Sequence, residues 1–136
     1  MTLSWEDHVA INELIALHGH LCDSGELDRL DEVFTADVTY DVSDYGFGIL
    51  RGLASNRAAA LALGDRNPVG HHVTNVILTE QGPGLVHAHS KGIGVTTDGQ
   101  CGSVTYDDVV VRGEQGWRIS ERIVRARRVP LGGLSS

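Results

Sequence analysis

The sequence predicts an α+β domain in which helices come first and a curved, mainly antiparallel sheet follows. Apolar residues recur at helical spacing near the start of the chain, and the second half holds four long stretches rich in β-branched residues. The connections between those stretches, "EQGPG", "TDGQ" and "GEQG", are short and turn-forming. Connections of that length suit hairpins rather than parallel crossovers. Helices followed by a meander indicate a sheet wrapped over helices.

Each element has its own signal. From Trp5 to Cys22 the residues Ile11, Leu14, Ile15, Leu21 and Cys22 form an apolar stripe with His18 in its middle, which predicts an amphipathic helix broken at Gly25. Leu27, Leu30, Val33 and Phe34 mark a short second helix. Val38, Tyr40 and Val42 alternate with Thr39 and Asp41 as in a strand, and "SDYGFGILRG" reads as a loop at a pocket rim. Alanine-rich "LASNRAAALAL" predicts a third helix with Ala54, Ala58 and Leu61 on one side, ended by "GDRNPVG". Strands are then expected over His71 to Thr79, Leu85 to Thr96, Gly102 to Arg112, and Trp117 to about Val129.

Length and composition bound the function. A chain of 136 residues suits a single domain over 1–136, and 41% hydrophobic with 21% charged residues suits a globular protein. No apolar span of about 18 residues and no signal-peptide pattern is present, so a cytoplasmic location and no membrane partner are expected. A net charge of −7 argues against a nucleic-acid partner, because such binding rests on neutralising phosphates. The basic cluster Arg125, Arg127 and Arg128 reads as a solvated face or an interface. Cys22 and Cys101 are far apart and lack the spacing of a zinc site or disulfide framework. No glycine-rich phosphate loop follows a strand, so no cofactor is expected. His87 and His89 share a strand face and form an HxH pair, but no third metal ligand is identifiable.

The opening "INELIALHGHLCDSGELDRLDEVFTADVTYDV", the "LRG" before the third helix, "HHVTN", and the closing "GWRISERIVRARRVPL" come in an order and spacing that resemble the SnoaL-like family of the nuclear-transport-factor-2-like superfamily. The resemblance spans about Trp5 to Gly133. It implies a cone-shaped α+β fold, a curved sheet wrapped around about three N-terminal helices. It also implies pairing of two copies through the outer face of the sheet, to which Val109 and Val111 belong. The family includes dehydratases, polyketide cyclases, isomerases and dehydrochlorinases, and members resembling this chain act without cofactor on hydrophobic, oxygenated small molecules. Its recurrent catalytic elements are an aspartate just after the first helix and a histidine in an "HxxxN" pattern at the head of a strand. Asp23 takes the first position, and His71, four residues before Asn75, takes the second.

The residues themselves leave alternatives open. Strict alternation puts His71, Val73, Asn75 and Ile77 on one face and His72, Thr74, Val76 and Leu78 on the other. Both faces are largely apolar, so periodicity does not name the inner histidine. Either one could instead be an ordinary strand histidine. A histidine suits proton chemistry because its ordinary pKa lies near 6.5, and a carboxylate on its far nitrogen would set its tautomer. Asp23 could supply that carboxylate or simply form the turn in "DSGE". On an ideal helix His18 and Asp23 lie about 140° apart, so both reach one pocket only if the helix ends or distorts between them. His18 stands where many family members carry tyrosine, and it reads either as a core histidine or as a second acid or hydrogen-bond donor. Tyr40, Tyr45, Tyr106, Asp108 and Asn75 are candidate substrate contacts, Tyr106 and Asp108 sharing one strand face. The expected function is a cofactor-independent dehydratase, cyclase or ketosteroid-isomerase-like enzyme. The alternative is a non-catalytic module that binds a hydrophobic ligand or mediates dimerisation.

Overall fold

The computed structural model of the chain describes residues 3–134. Helix α1, Trp5–Asp23, starts from a reciprocal cap in which the Ser4 hydroxyl accepts the Asp7 N–H at 3.1 Å and the Asp7 carboxylate accepts the Ser4 N–H at 3.3 Å. Such caps satisfy donors the helix itself leaves unpaired. The predicted stripe is the buried one: Ile11, Leu14, Ile15, His18 and Leu21 face the core. The helix runs through Asp23 and stops where Gly25 takes a φ of +72°.

The second helix is shorter than expected, a 3₁₀ segment over Leu27–Glu32. Val33 and Phe34 do not extend it: strand β1, Phe34–Asp41, starts there. The Val33 carbonyl accepts the Ile119 N–H at 2.8 Å, so pairing with a distant strand outweighs local helical spacing. The loop expected after β1 contains a short strand, β2, Ile49–Arg51, which pairs antiparallel with β1. Helix α2, Leu53–Leu63, turns Ala54, Ala58 and Leu61 outward, whereas Asn56 is buried and its side-chain amide donates to the Gly52 carbonyl at 2.8 Å. Of the three expected helices, two are α-helices of two turns or more.

Strands β3, Gly70–Gly82, β4, Leu85–Val95, β5, Cys101–Gly113, and β6, Gly116–Ala126, form the expected meander. β6 ends at Ala126, short of Val129. The six strands make one sheet in the order β2-β1-β6-β5-β4-β3, antiparallel except where β1 lies parallel to β6. α1 lies against the inner face, where Ile11, Ile15, Phe34, Val86, Val110 and Ile119 form the core. No helix among the described residues is long and apolar enough to cross a membrane.

Two bulges decide which side chains enter the cone. In β3 the pairing with β4 shifts between Thr74 and Ile77, and Asn75 there adopts a φ of +57°. One extra residue exchanges the faces that follow it. His71 and Val73 therefore share the inner side with Val76 and Leu78, while Ile77 is 63% exposed, which corrects the strict alternation. In β6 the pairing with β5 slips after Ile119, so that Trp117 and Ile119 share the buried side with Arg122 and Val124.

Candidate active site

Asp23 and His71 meet where the last turn of α1 touches the head of β3. The approach depends on Gly19, because a Cβ there would lie 3.1 Å from the His71 carbonyl oxygen and 3.3 Å from the His71 Cβ. The His71 Nδ1–H donates to Asp23 Oδ1 at 2.6 Å, and the His71 backbone N–H donates to Asp23 Oδ2 at 3.0 Å. The carboxylate thereby fixes both the tautomer and the seat of the ring. Its acceptor demand on Nδ1 leaves Nε2 with a lone pair, and Nε2 makes no hydrogen bond among the described residues. The His71 and Asp23 side chains are 21% and 27% exposed, so the pair is accessible to a ligand. His72 is exposed on the opposite side of the strand.

His18 lies inside this pair, its ring centroid 6.4 Å from that of His71. No distortion of α1 is needed for His18 and Asp23 to serve one site, because His71 sits across from both. Arg122 Nη1 donates to His18 Nδ1 at 2.9 Å, and His18 Nε2 lies 3.4 Å from Cys22 Sγ. Burial, the Arg122 charge and then His71 hold the His18 pKa well below its usual 6.5. Arg122 is completely buried, with Nε donating to Asp108 Oδ1 at 2.7 Å and Nη2 to Oδ2 at 2.9 Å. Burial works against its charge, and Asp108 more than offsets that penalty.

Aromatic rings enclose this polar column. Arg122 lies 4.4 Å from the Tyr106 ring centroid and 5.9 Å from those of Phe34 and Tyr40. Tyr106 crosses β4 over Gly92, where a Cβ would come within 2.4 Å of its ring. Burial raises the pKa of both Tyr40 and Tyr106, so their hydroxyls stay protonated, and it pushes the Cys22 thiol up to about 11.

The structure thus brings together His71, Asp23, His18, Tyr40, Tyr106 and Asp108. Asn75 stands apart: it is exposed at the bulge, where its side-chain oxygen accepts the Thr74 hydroxyl at 2.6 Å. Tyr45 is also outside the column, 44% exposed beneath Arg128 on the turn after β1. Asp108 is committed to Arg122 rather than free for a ligand. Arg122 itself was not foreseen, since unbroken alternation from Trp117 would set it on the polar side with Arg118 and Ser120. The available signal was Asp108, a carboxylate in the apolar run "VTYDDVVV" that needs a buried cation.

Other candidates sit outside. His87 Nε2 and His89 Nδ1 both bond Asp107 Oδ1, at 2.9 and 2.8 Å, and Arg125 holds Oδ2 of the same carboxylate at 2.8 Å. Among the described residues no group of three potential ligands is arranged to hold a metal. Arg128 pairs with Asp44, so the basic cluster is partly neutralised. Two surface clefts, one beside Asp44 and Arg127 and one beside Glu13 and Gln115, do not include the histidine pair.

A family model described as SnoaL-like domain matches residues 4–123. No curated protein shows a significant match. Among solved structures, an NTF2-like protein with a cystatin-like fold from Novosphingobium aromaticivorans is 28% identical, with a TM-score of 0.74 over 96% of this chain and 85% of that one. A putative aromatic ring hydroxylase from the same organism is 25% identical, with a TM-score of 0.76 over 94% of each chain. A putative scytalone dehydratase, also from that organism, is 19% identical, with a TM-score of 0.74 over 89% of this chain and 84% of that one.

Proposed function

The chain belongs to the SnoaL-like family, and from that premise we propose that it is a cofactor-independent lyase or isomerase acting on a hydrophobic, oxygenated small molecule. The contact that carries the reading is the two-point hold of Asp23 on His71, at 2.6 and 3.0 Å. A histidine anchored through Nδ1 presents Nε2 as a base. The carboxylate behind it stabilises the imidazolium that forms. His71 would remove a proton from the carbon next to a carbonyl and return it either to another carbon or to a departing hydroxyl. A storage pocket would gain nothing from such an anchored base. The fold shared with a protein named as a putative scytalone dehydratase is consistent with this chemistry and does not by itself assign it.

The outer face of the sheet, with Ile77 63% and Ile93 45% exposed, is proposed as the surface through which two copies pair. Light scattering at micromolar concentration should then give twice 14.6 kDa, and a clean monomer would remove the pairing.

The functional reading is tested by native mass spectrometry of the protein as purified, followed by an activity screen on ketone and hydroxylated relatives of any hydrophobic ligand found. Turnover that survives dialysis against a chelator and disappears in His71→Ala supports the reading. Turnover unchanged in a folded His71→Ala protein overturns it.

A further inference from the structure

We propose that His18 is a neutral hydrogen-bond donor to the carbonyl oxygen of an uncharged substrate, and that Arg122 is the positioning residue that locks it in that state. The inference rests on the assignment of His71 as the base and adds the partner that acts on oxygen.

The lock follows from what each group can do. A guanidinium has only donors, so the 2.9 Å contact between Arg122 Nη1 and His18 Nδ1 makes Nδ1 the acceptor. The imidazole proton must then sit on Nε2. A second proton on Nδ1 would point at a buried cation, in keeping with the lowered pKa of His18. Nε2–H faces Cys22 Sγ at 3.4 Å. A thiol sulfur is a weak acceptor, so this donor is poorly satisfied and a substrate oxygen can take it over. A buried N–H held in one orientation needs little reorganisation when charge develops on an oxygen that accepts it.

The same contacts define the substrate's charge. Arg122 spends Nε and Nη2 on Asp108 and Nη1 on His18, within a wall of Phe34, Tyr40 and Tyr106 rings. With Asp108 cancelling it, no buried Arg or Lys among the described residues is left over for a carboxylate or phosphate. A ketone or enone fits. His71 Nε2 takes the proton from the carbon beside the carbonyl, and the C–H electron pair becomes the carbon–carbon double bond. The carbonyl π pair moves to oxygen, which His18 Nε2–H stabilises without transferring its proton. The His71 imidazolium then gives its proton to a new carbon, or to a β-hydroxyl that leaves as water. The 6.4 Å between ring centroids lets one small carbonyl compound meet both rings.

Long-range ¹H–¹⁵N NMR of the imidazoles, with His18 assigned by its loss in His18→Gln, tests the lock independently of activity. The expected spectrum shows His18 as the Nε2–H tautomer alone, still neutral below the ordinary histidine pKa of about 6.5. An Nδ1–H tautomer, or protonation of His18 at the ordinary histidine pKa of about 6.5, overturns the proposal. In Arg122→Met/Asp108→Leu, which removes both buried charges together, the single tautomer should be lost and kcat should fall by about 10²-fold. Retention of the single tautomer in that variant would remove Arg122 from the role. If it does not fold, the wild-type spectrum still decides. A bicyclic enone should shift the His18 Nε2–H resonance and the same ring bearing a carboxylate should not. The reverse result would overturn the uncharged-substrate assignment. A His18 locked as stated beside an active His71→Ala would instead sink the base assignment and leave the lock standing.

Discussion

Asp23 grips His71 at two points, taking the imidazole Nδ1–H at 2.6 Å with one carboxylate oxygen and the backbone N–H of the same residue at 3.0 Å with the other. One acidic side chain at the end of α1 thus sets the ring's tautomer, its orientation and the position of the strand that carries it. Loss of a positioned general base costs about 10²–10⁴-fold, and His71→Ala should show a loss of that order with the fold retained. His72→Ala should leave turnover within a few-fold, since that ring is exposed on the other face. Steady-state kinetics on folded variants compares them, and the reverse ranking would contradict the geometry.

Asp23→Asn should resemble His71→Ala in kcat, because an amide hydrogen-bonds but does not stabilise an imidazolium by charge. The Asp23→Asn/His71→Ala double variant should lose less than the product of the single effects, as residues acting as one unit are non-additive. A double-mutant cycle in kcat/KM that closes additively would show that the two act independently.

His18 makes stability depend on pH. Its folded pKa lies well below 6.5, so between the two values the unfolded chain binds a proton that the folded chain does not. The contribution is fully present above about pH 6.5 and is lost as pH falls below it, by up to about 1.4 kcal/mol per pH unit for one site. His18→Gln can still accept from Arg122 but does not titrate. Denaturant unfolding at a series of pH values between 7 and 5 should give a flatter slope for His18→Gln than for the wild type. Equal slopes would mean that His18 takes up its proton as easily in the folded state.

Asn75 serves the backbone. With φ at +57° it sits where a β-branched side chain is strained, so Asn75→Val should cost about 1–2 kcal/mol, whereas Asn75→Gly should stay within about 0.5 kcal/mol. Thermal or denaturant unfolding checks both. A glycine variant of full stability that had lost its activity would instead make Asn75 a substrate contact.

Arg122 and Asp108 should behave as a unit in folding. Arg122→Met leaves a bare carboxylate in the core and should destabilise by about 3–5 kcal/mol, while Arg122→Met/Asp108→Leu should recover most of that loss. Unfolding free energies of the two variants measure the recovery. No recovery would mean that the guanidinium is needed for packing against the Tyr106 ring rather than for charge balance.

What the chain by itself determined was its helices-then-meander order. The buried stripe of α1 and the shared face of Tyr106 and Asp108 on β5 were legible because burial imposes periods of 3.6 and 2 on the residues concerned. The Asp23 and His71 pairing was legible only through family resemblance, as 48 residues separate them and no local pattern links them. Tertiary structure alone decided the rest. Each bulge inserts one unpaired residue, and because side chains alternate strictly, every later residue changes face. At Asn75 that step moves Val76 inward and Ile77 outward. After Ile119 it carries Arg122 from the expected polar side into the core, where it meets Asp108 and, 104 residues away in the chain, His18. Where a strand slips depends on the partner it pairs with, so the identity of the buried cation followed from the assembled sheet and not from any window of sequence.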